Sequence, residues 1–162
     1  MNSGGKVRPL VTFIKLLERF KLIGKNSFYP LESGAIEAVI QHLNEDAAEI
    51  LKRQVAAINK IQRLIGDKEV DFYHKRNGKL AFDDRLCFPD KTTERLLATV
   101  QLFSTDKRRK LKIELWLVKG QLFCLTFDRS PKVFFGPKEF KSIQPEIAEV
   151  NILIDPMNEL GP

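Results

Sequence analysis

Residues 105–135 read TDKRRKLKIELWLVKGQLFCLTFDRSPKVFF, a four-residue basic run joined directly to an apolar ribbon. Apolar positions alternate from Leu111 to Val118 and again from Leu122 to Phe127, the period of two that marks a β-strand. Gly120 lies between the two runs and permits a tight hairpin turn, closed by Lys119-Gly120 or by Gly120-Gln121. Either closure pairs odd positions with even ones. One face then holds Leu111, Ile113, Leu115, Leu117, Leu122, Cys124 and Thr126, and the other holds Lys112, Glu114, Trp116, Val118, Phe123, Leu125 and Phe127. An antiparallel sheet with one dry face alternates apolar with polar side chains, yet this second face is also apolar near the turn and needs cover. The C-terminal segment or a helix of the same chain can supply it. The alternative is that Trp116, Phe123 and Phe127 meet a protein partner or a second copy in a homodimer, because exposed aromatic patches mark interfaces.

Upstream of this ribbon the period is helical. Arg8 to Ile23 places Leu10, Phe13, Ile14, Leu17 and Phe20 at spacings of three and four, between Pro9 and Gly24. Residues 25–32 form a connector, because Pro30 disfavours helix at Tyr29. Ser33 is placed to cap a second helix with the stripe Ile36, Val39, Ile40 and Leu43. Asn44 caps a third, with Glu45 and Asp46 in its first turn and the stripe Ala47, Ile50, Leu51, Val55, Ile58, Ile61 and Ile65, stopped by Gly66. The pattern fits either one bent rod or a tight helix pair over 33–65.

After Gly66 the period changes to two. Glu69 to Arg76, Asn77-Gly78 and Lys79 to Asp83 carry the strongest hairpin signal in the chain. Leu86–Phe88 and Leu96–Phe103 read as further strands, with Lys132–Phe135 and Val150–Ile154 as weaker ones. The expected fold class is α+β: two or three N-terminal helices packed on one face of a mainly antiparallel sheet of five or six strands, joined as a meander. Residues 1–162 make one domain, with a helical part over 8–65 and a sheet part over 67–155, and a chain of this length buries roughly 68–70% of its unfolded surface.

The net charge of +6 is unevenly placed: residues 1–31 hold six bases and one acid, and residues 104–141 ten bases and four acids. Such local excess favours an acidic partner, whether nucleic acid, an anionic membrane face or an acidic protein. The first helix carries Arg8, Thr12, Lys15 and Arg19 along one side and can lie on an anionic membrane or pack as a surface helix. No apolar run approaches the roughly 20 residues of a spanning helix. Lys15, Glu18 and Arg19 interrupt the N-terminal apolar run, which argues against a secretory signal and for a cytoplasmic protein. Cys87 and Cys124 sit in apolar runs and read as reduced core residues.

Chemistry is sparse. His42 and His74 belong to no metal-ligand spacing, and nothing local activates either cysteine. Asp71, Asp83 and Asp84 flank the Asn-Gly turn, where paired carboxylates can hold a divalent ion or balance Lys75, Arg76, Lys79 and Arg85. Pro89-Asp90 with Glu139-Phe140-Lys141 resembles the acidic pair and lysine of many metal-dependent nucleases. In that family the second element follows close behind on a strand, whereas 48 residues intervene here. No phosphate-cradling loop, nucleophile elbow or dinucleotide fingerprint is present, so no cofactor is implied. The expectation is therefore a non-enzymatic protein-interaction module, an adaptor or toxin-neutralising immunity-type protein, binding through Trp116, Phe123 and Phe127. The alternative is a nucleic-acid-binding protein that grips phosphates with Lys107, Arg108, Arg109, Lys110 and Lys112 and with the N-terminal helix. A metal-dependent nuclease comes third.

Overall fold

In the computed structural model, which describes residues 27–159, antiparallel pairing organises most of the chain downstream of Ala57. Two helices come first, α1 (Pro30–His42) and α2 (Glu45–Ala57). The strands are β1 (Lys60–Arg63), β2 (Glu69–Tyr73), β3 (Lys75–Arg76), β4 (Lys79–Leu80), β5 (Arg95–Phe103), β6 (Lys110–Val118) and β7 (Gln121–Phe127), followed by a short helix α3 (Pro131–Phe135) and β8 (Ile147–Ile152). Six strands form one sheet in the order β1-β2-β7-β6-β5-β8, and β3-β4 is a separate ribbon. The α+β class is as expected. β5, β6 and β7 form a sequential meander at its centre, and β8 and the β1-β2 hairpin extend it on either side. The segment 8–23 lies outside the described residues.

Both helices cover the same sheet face, α1 against β5 and β8 and α2 against β7. They are a tight pair separated by Leu43-Asn44, which resolves the choice between rod and pair. Asn44 caps α2 as expected, its Oδ1 accepting the Ala47 N–H at 2.9 Å. α1 differs from the expectation, starting at Pro30 rather than after Ser33. Proline at the first helical position loses no bond, and the Glu32 carboxylate accepts the Tyr29 N–H at 2.8 Å, so the start signal is carried by Pro30 and Glu32. Ser33 already lies in the first turns, its hydroxyl turned back to the Tyr29 and Pro30 carbonyls.

α2 also ends earlier than its stripe suggests. At Ile58 the backbone turns extended, and Asn59 takes over as a strand partner: its N–H donates to the Tyr73 carbonyl, and its amide exchanges two bonds with the Lys75 backbone, at 2.7 and 2.8 Å. Ile58 and Ile61 are buried in either conformation, so their spacing does not discriminate. Ile65, the last residue of the expected stripe, is fully exposed. Gly66, with φ of 91°, closes the β1-β2 hairpin rather than a helix.

Three further segments depart from the sequence reading. The Asn77-Gly78 turn forms, with both residues at positive φ, but its ribbon is only β3-β4, because Glu69–Tyr73 is claimed by β1 and β7. The expected strand 86–88 is replaced by a 3₁₀ turn at Asp84–Leu86, after which Phe88 plugs the end of the core. The expected strand 132–135 is α3, started by Ser130-Pro131 and burying Phe134.

The β6-β7 hairpin is closed by Lys119-Gly120, at φ of 50° and 79°. Val118 pairs with Gln121 and Leu117 with Leu122, but Trp116 then pairs with Cys124. Phe123 is the extra residue of a β-bulge, and a bulge reverses side-chain parity beyond it. Leu125 and Phe127 therefore join Leu111, Ile113, Leu115 and Leu117 in the core, while Cys124 and Thr126 move to the Trp116 face. This corrects the continuous alternation assumed for the ribbon, and Phe127 in particular is a core residue.

Buried polar groups tie these layers together. Gln54 of α2 donates to the carbonyls of Leu86 (2.6 Å) and Gly120 (2.9 Å) and accepts the Leu122 N–H (2.8 Å). A Cβ at position 120 would stand 2.6 Å from the Phe88 carbonyl oxygen, so only glycine fits this turn. Arg63 of β1 makes a bidentate bond to the buried Glu32 carboxylate, at 2.9 and 2.8 Å, and lies 3.6 Å over the Tyr29 ring. Burial still pushes the Glu32 carboxyl above its ordinary range, against the opposing pull of Arg63. Glu37, also buried, accepts the Gln41 amide at 3.2 Å, and burial raises its pKa from 4.5 to about 7 against the weaker opposing pull of Gln41 and Lys52.

Two outcomes follow for stability. Gln54→Leu strands the Leu122 N–H and should cost about 2–3 kcal/mol in urea unfolding. Glu37 holds a proton in the folded chain that the unfolded chain releases earlier, so its contribution is intact below pH 4.5 and lost as pH rises through about 7. Glu37→Gln should therefore stabilise the protein by about 2–3 kcal/mol at pH 8 and by little at pH 4. Denaturation curves at the two pH values would show no such divergence if the carboxyl were solvated.

Candidate functional site

With the helices on one face of the sheet, the opposite face presents two rows of side chains across the strands. One row runs Leu96, Trp116, Cys124, Asp71 and Gln62; the next runs Asn151, Thr99, Glu114, Thr126 and Glu69. Among the described residues no helix packs on these rows, and Trp116, Phe123, Thr126 and Glu114 are half-buried. Trp116 stands between two bulges, at Leu97 on β5 and Phe123 on β7. Bulges increase local twist and re-aim side chains.

The indole is held by its polar edge. Trp116 Nε1 donates to Thr126 Oγ1 at 3.2 Å, and that hydroxyl donates to Glu114 Oε2 at 3.2 Å. Lys112 closes the relay on the other Glu114 oxygen at 3.1 Å. Phe123 meets the Tyr73 ring edge-on at 5.8 Å between centroids. Trp116 and the Tyr73–Phe123 ring pair thus place three aromatic side chains on this face, with Phe127 on the far side of the sheet.

Beside this patch lies an acidic set that residue spacing did not reveal. Glu69, Asp71 and Cys124 each place a ligand-capable atom within 4.8 Å of the others. Asp71 is only 6% exposed, and although the Tyr73 hydroxyl donates to its Oδ2 at 3.2 Å, its buried Oδ1 has no hydrogen-bond partner. Burial, then the neighbouring Asp71, raises the Glu69 carboxyl above its ordinary range. Burial and the surrounding carboxylates Asp71, Glu69 and Glu94 push the Cys124 thiol up to about 12. The legible signal was two acids at i and i+2 on one strand; Cys124 opposite Asp71 requires the bulge.

The other candidate residues lie elsewhere. Asp83 is chelated by Arg85 and Asp84 pairs with Lys91, so neither converges with Asp71. His42 Nδ1 lies 2.7 Å from the Ala38 carbonyl oxygen. Asp90 is buried at the hairpin-turn end of the sheet; burial raises its pKa, but the Thr92 bonds and Arg95 outweigh this and hold it below the ordinary range. Glu139 sits on an exposed 3₁₀ turn at the opposite end, next to Phe140, which lines a small cavity with Phe127 and Pro131. The nuclease-like pair does not converge.

The basic loop is exposed and well ordered by its own bonds: Ser104 Oγ donates to Asp106 at 2.6 Å and accepts the Arg109 N–H at 3.0 Å. Most of its cations have partners within the chain. Lys107 pairs with Glu146 at 3.3 Å, Lys112 with Glu114, Arg109 lies 4.9 Å over the Phe134 ring, and Lys110 lies 5.7 Å from the Phe103 ring. Among the described residues no helix is long and apolar enough to cross a membrane. No protein-family model, curated protein or solved structure matches this chain.

Thr126→Val removes the hydroxyl at the centre of the Trp116 relay. It should lower stability by about 1 kcal/mol and increase iodide quenching of the single tryptophan's fluorescence. Unchanged quenching would mean that packing alone positions the indole.

Proposed function

We propose that this chain is a protein-interaction module, of adaptor or neutralising type, whose partner docks around Trp116 and Phe123 on the sheet face opposite the described helices. The observation that carries this reading is a group of aromatic side chains, with Trp116 held in place by a hydrogen-bond relay, on a face that the described helices leave uncovered. Tryptophan and tyrosine dominate binding energetics because they bury large area with few rotors to immobilise. Beside the patch stand Glu69 and Asp71, which have no salt bridge to a base among the described residues, so the complementary partner offers an apolar segment flanked by lysine or arginine. The phosphate-binding alternative is less well supported, since on-chain partners already occupy most of the 107–112 cations.

The test is affinity purification from the native cell with the wild-type chain, with Trp116→Ala/Phe123→Ser, and with Lys107, Arg108, Arg109 and Lys110 all changed to Gln. A protein partner that survives nuclease treatment, is retained by the loop variant and is lost from the folded aromatic variant supports the proposal. Recovery of nuclease-sensitive nucleic acid that only the loop variant releases would replace it with the alternative. Loss of stability in the aromatic variant with binding unchanged would remove the sheet face from the interface.

A further inference from the structure

We propose that Glu69, Asp71 and Cys124 form a binding site for a divalent cation of the zinc class on the sheet face that the described helices leave uncovered. Two carboxyls and a thiol converge there, and among the described residues neither Glu69 nor Asp71 has a salt bridge to a base. Clustered acids alone are common on protein surfaces. What distinguishes this set is Asp71, more than nine-tenths buried, with Oδ1 shielded from water and without a hydrogen-bond donor. A buried acceptor left unpaired costs about 1–3 kcal/mol. Either a proton or a cation can remove that cost.

A proton shared between Glu69 and Asp71 satisfies two oxygens and leaves the sulfur out. A cation reaches all three groups, and the donor chemistry selects its class. Thiolate with carboxylate oxygen suits zinc, whereas magnesium and calcium take oxygen alone. Tetrahedral zinc with bonds of about 2.0–2.3 Å places its ligands about 3.3–3.8 Å apart, so the three atoms need to close only modestly from their present 4.8 Å limit. The Tyr73 hydroxyl on Asp71 Oδ2 is the kind of outer bond that orients a ligating carboxylate. On binding, Cys124 forms the metal–sulfur bond as its proton leaves to solvent. The carboxylates that raise the thiol pKa in the free chain become co-ligands, and the cation reverses their effect. Four-coordinate zinc would take its fourth ligand from water or another donor.

Cation binding does not depend on a protein partner and can be measured on the full chain alone. Residues 1–26 contain no histidine or cysteine, and Cys87 is the only other thiol. After chelator treatment, calorimetry with Zn²⁺ and ultraviolet spectroscopy with Cd²⁺ should each show one ion per chain. The sulfur-to-cadmium charge-transfer band should persist in Cys87→Ser and vanish in Cys124→Ser. Asp71→Asn and Glu69→Gln should each weaken Zn²⁺ binding at least tenfold, with far-UV circular dichroism confirming the fold. Glu69, half-buried, gives the variant least able to disturb the core. Absence of Zn²⁺ binding, a band that follows Cys87, or affinity indifferent to both carboxyls would overturn the site. Magnesium binding equal to that of zinc would overturn the assigned class.

Discussion

The extra residue at Phe123 is the constraint on which the rest of the molecule depends. Without it, β7 would carry Cys124 and Thr126 into the core and turn Leu125 and Phe127 outward. With it, Leu125 and Phe127 are buried against the helices. Burying a side chain of that size stabilises by about 1.5–3 kcal/mol, so the bulge recovers more than its unpaired backbone position costs. The same shift sets Cys124 opposite Asp71 and places Thr126 between Glu114 and Glu69. Core and candidate site follow from one insertion in the ladder.

The polar residues inside the fold act as locks rather than as sources of large net stability. A buried ion pair such as Glu32–Arg63 roughly breaks even against an apolar pair of the same shape, but losing one partner is costly. Its value is positional. It joins the first turn of α1 to β1, the strand that α2 would otherwise extend into as helix. Gln54 does the same at the other end, where three bonds join α2 to the hairpin turn and the Leu86 loop. Among the described residues Glu37 has no comparable partner set, and burial displaces its protonation upward.

Legibility followed the uniqueness of each local signal. Asn44, Asn77-Gly78 and Gly120 each have one physical use in their context, and each does what its chemistry predicts. The boundary after Ala57 was hidden because Ile58 and Ile61 satisfy a helical stripe and a strand equally, and the deciding bonds come from Asn59 to a strand distant in sequence. Phe123-Cys124-Leu125 is apolar throughout, so no alternation within it betrays the bulge. Ser130-Pro131 starts a helix, but the apolar run Val133-Phe134-Phe135 after it has the composition of a strand. The aromatic part of the candidate site was legible because Trp116 and Phe123 stand out against an alternating pattern. Its acidic part was not, because Glu69 and Asp71 are ordinary strand acids until β7 brings Cys124 beside them.

Charge shows how composition can mislead about a surface. Residues 1–26 hold six of the 27 bases and one of the 21 acids, which leaves 21 bases and 20 acids elsewhere. The described domain is therefore close to neutral, with local fields of opposite sign in different places. Of the 107–112 cations, Lys107 pairs with Glu146, Lys112 with Glu114, and Arg109 lies over the Phe134 ring, whereas Glu69 and Asp71 lack basic partners among the described residues. Exposed charges are screened beyond about 8–10 Å at physiological salt, so a ligand on the face opposite the described helices responds to those carboxyls rather than to the net charge. The basic composition suggests an acidic partner for the chain as a whole; the face that carries Trp116 selects for the opposite sign.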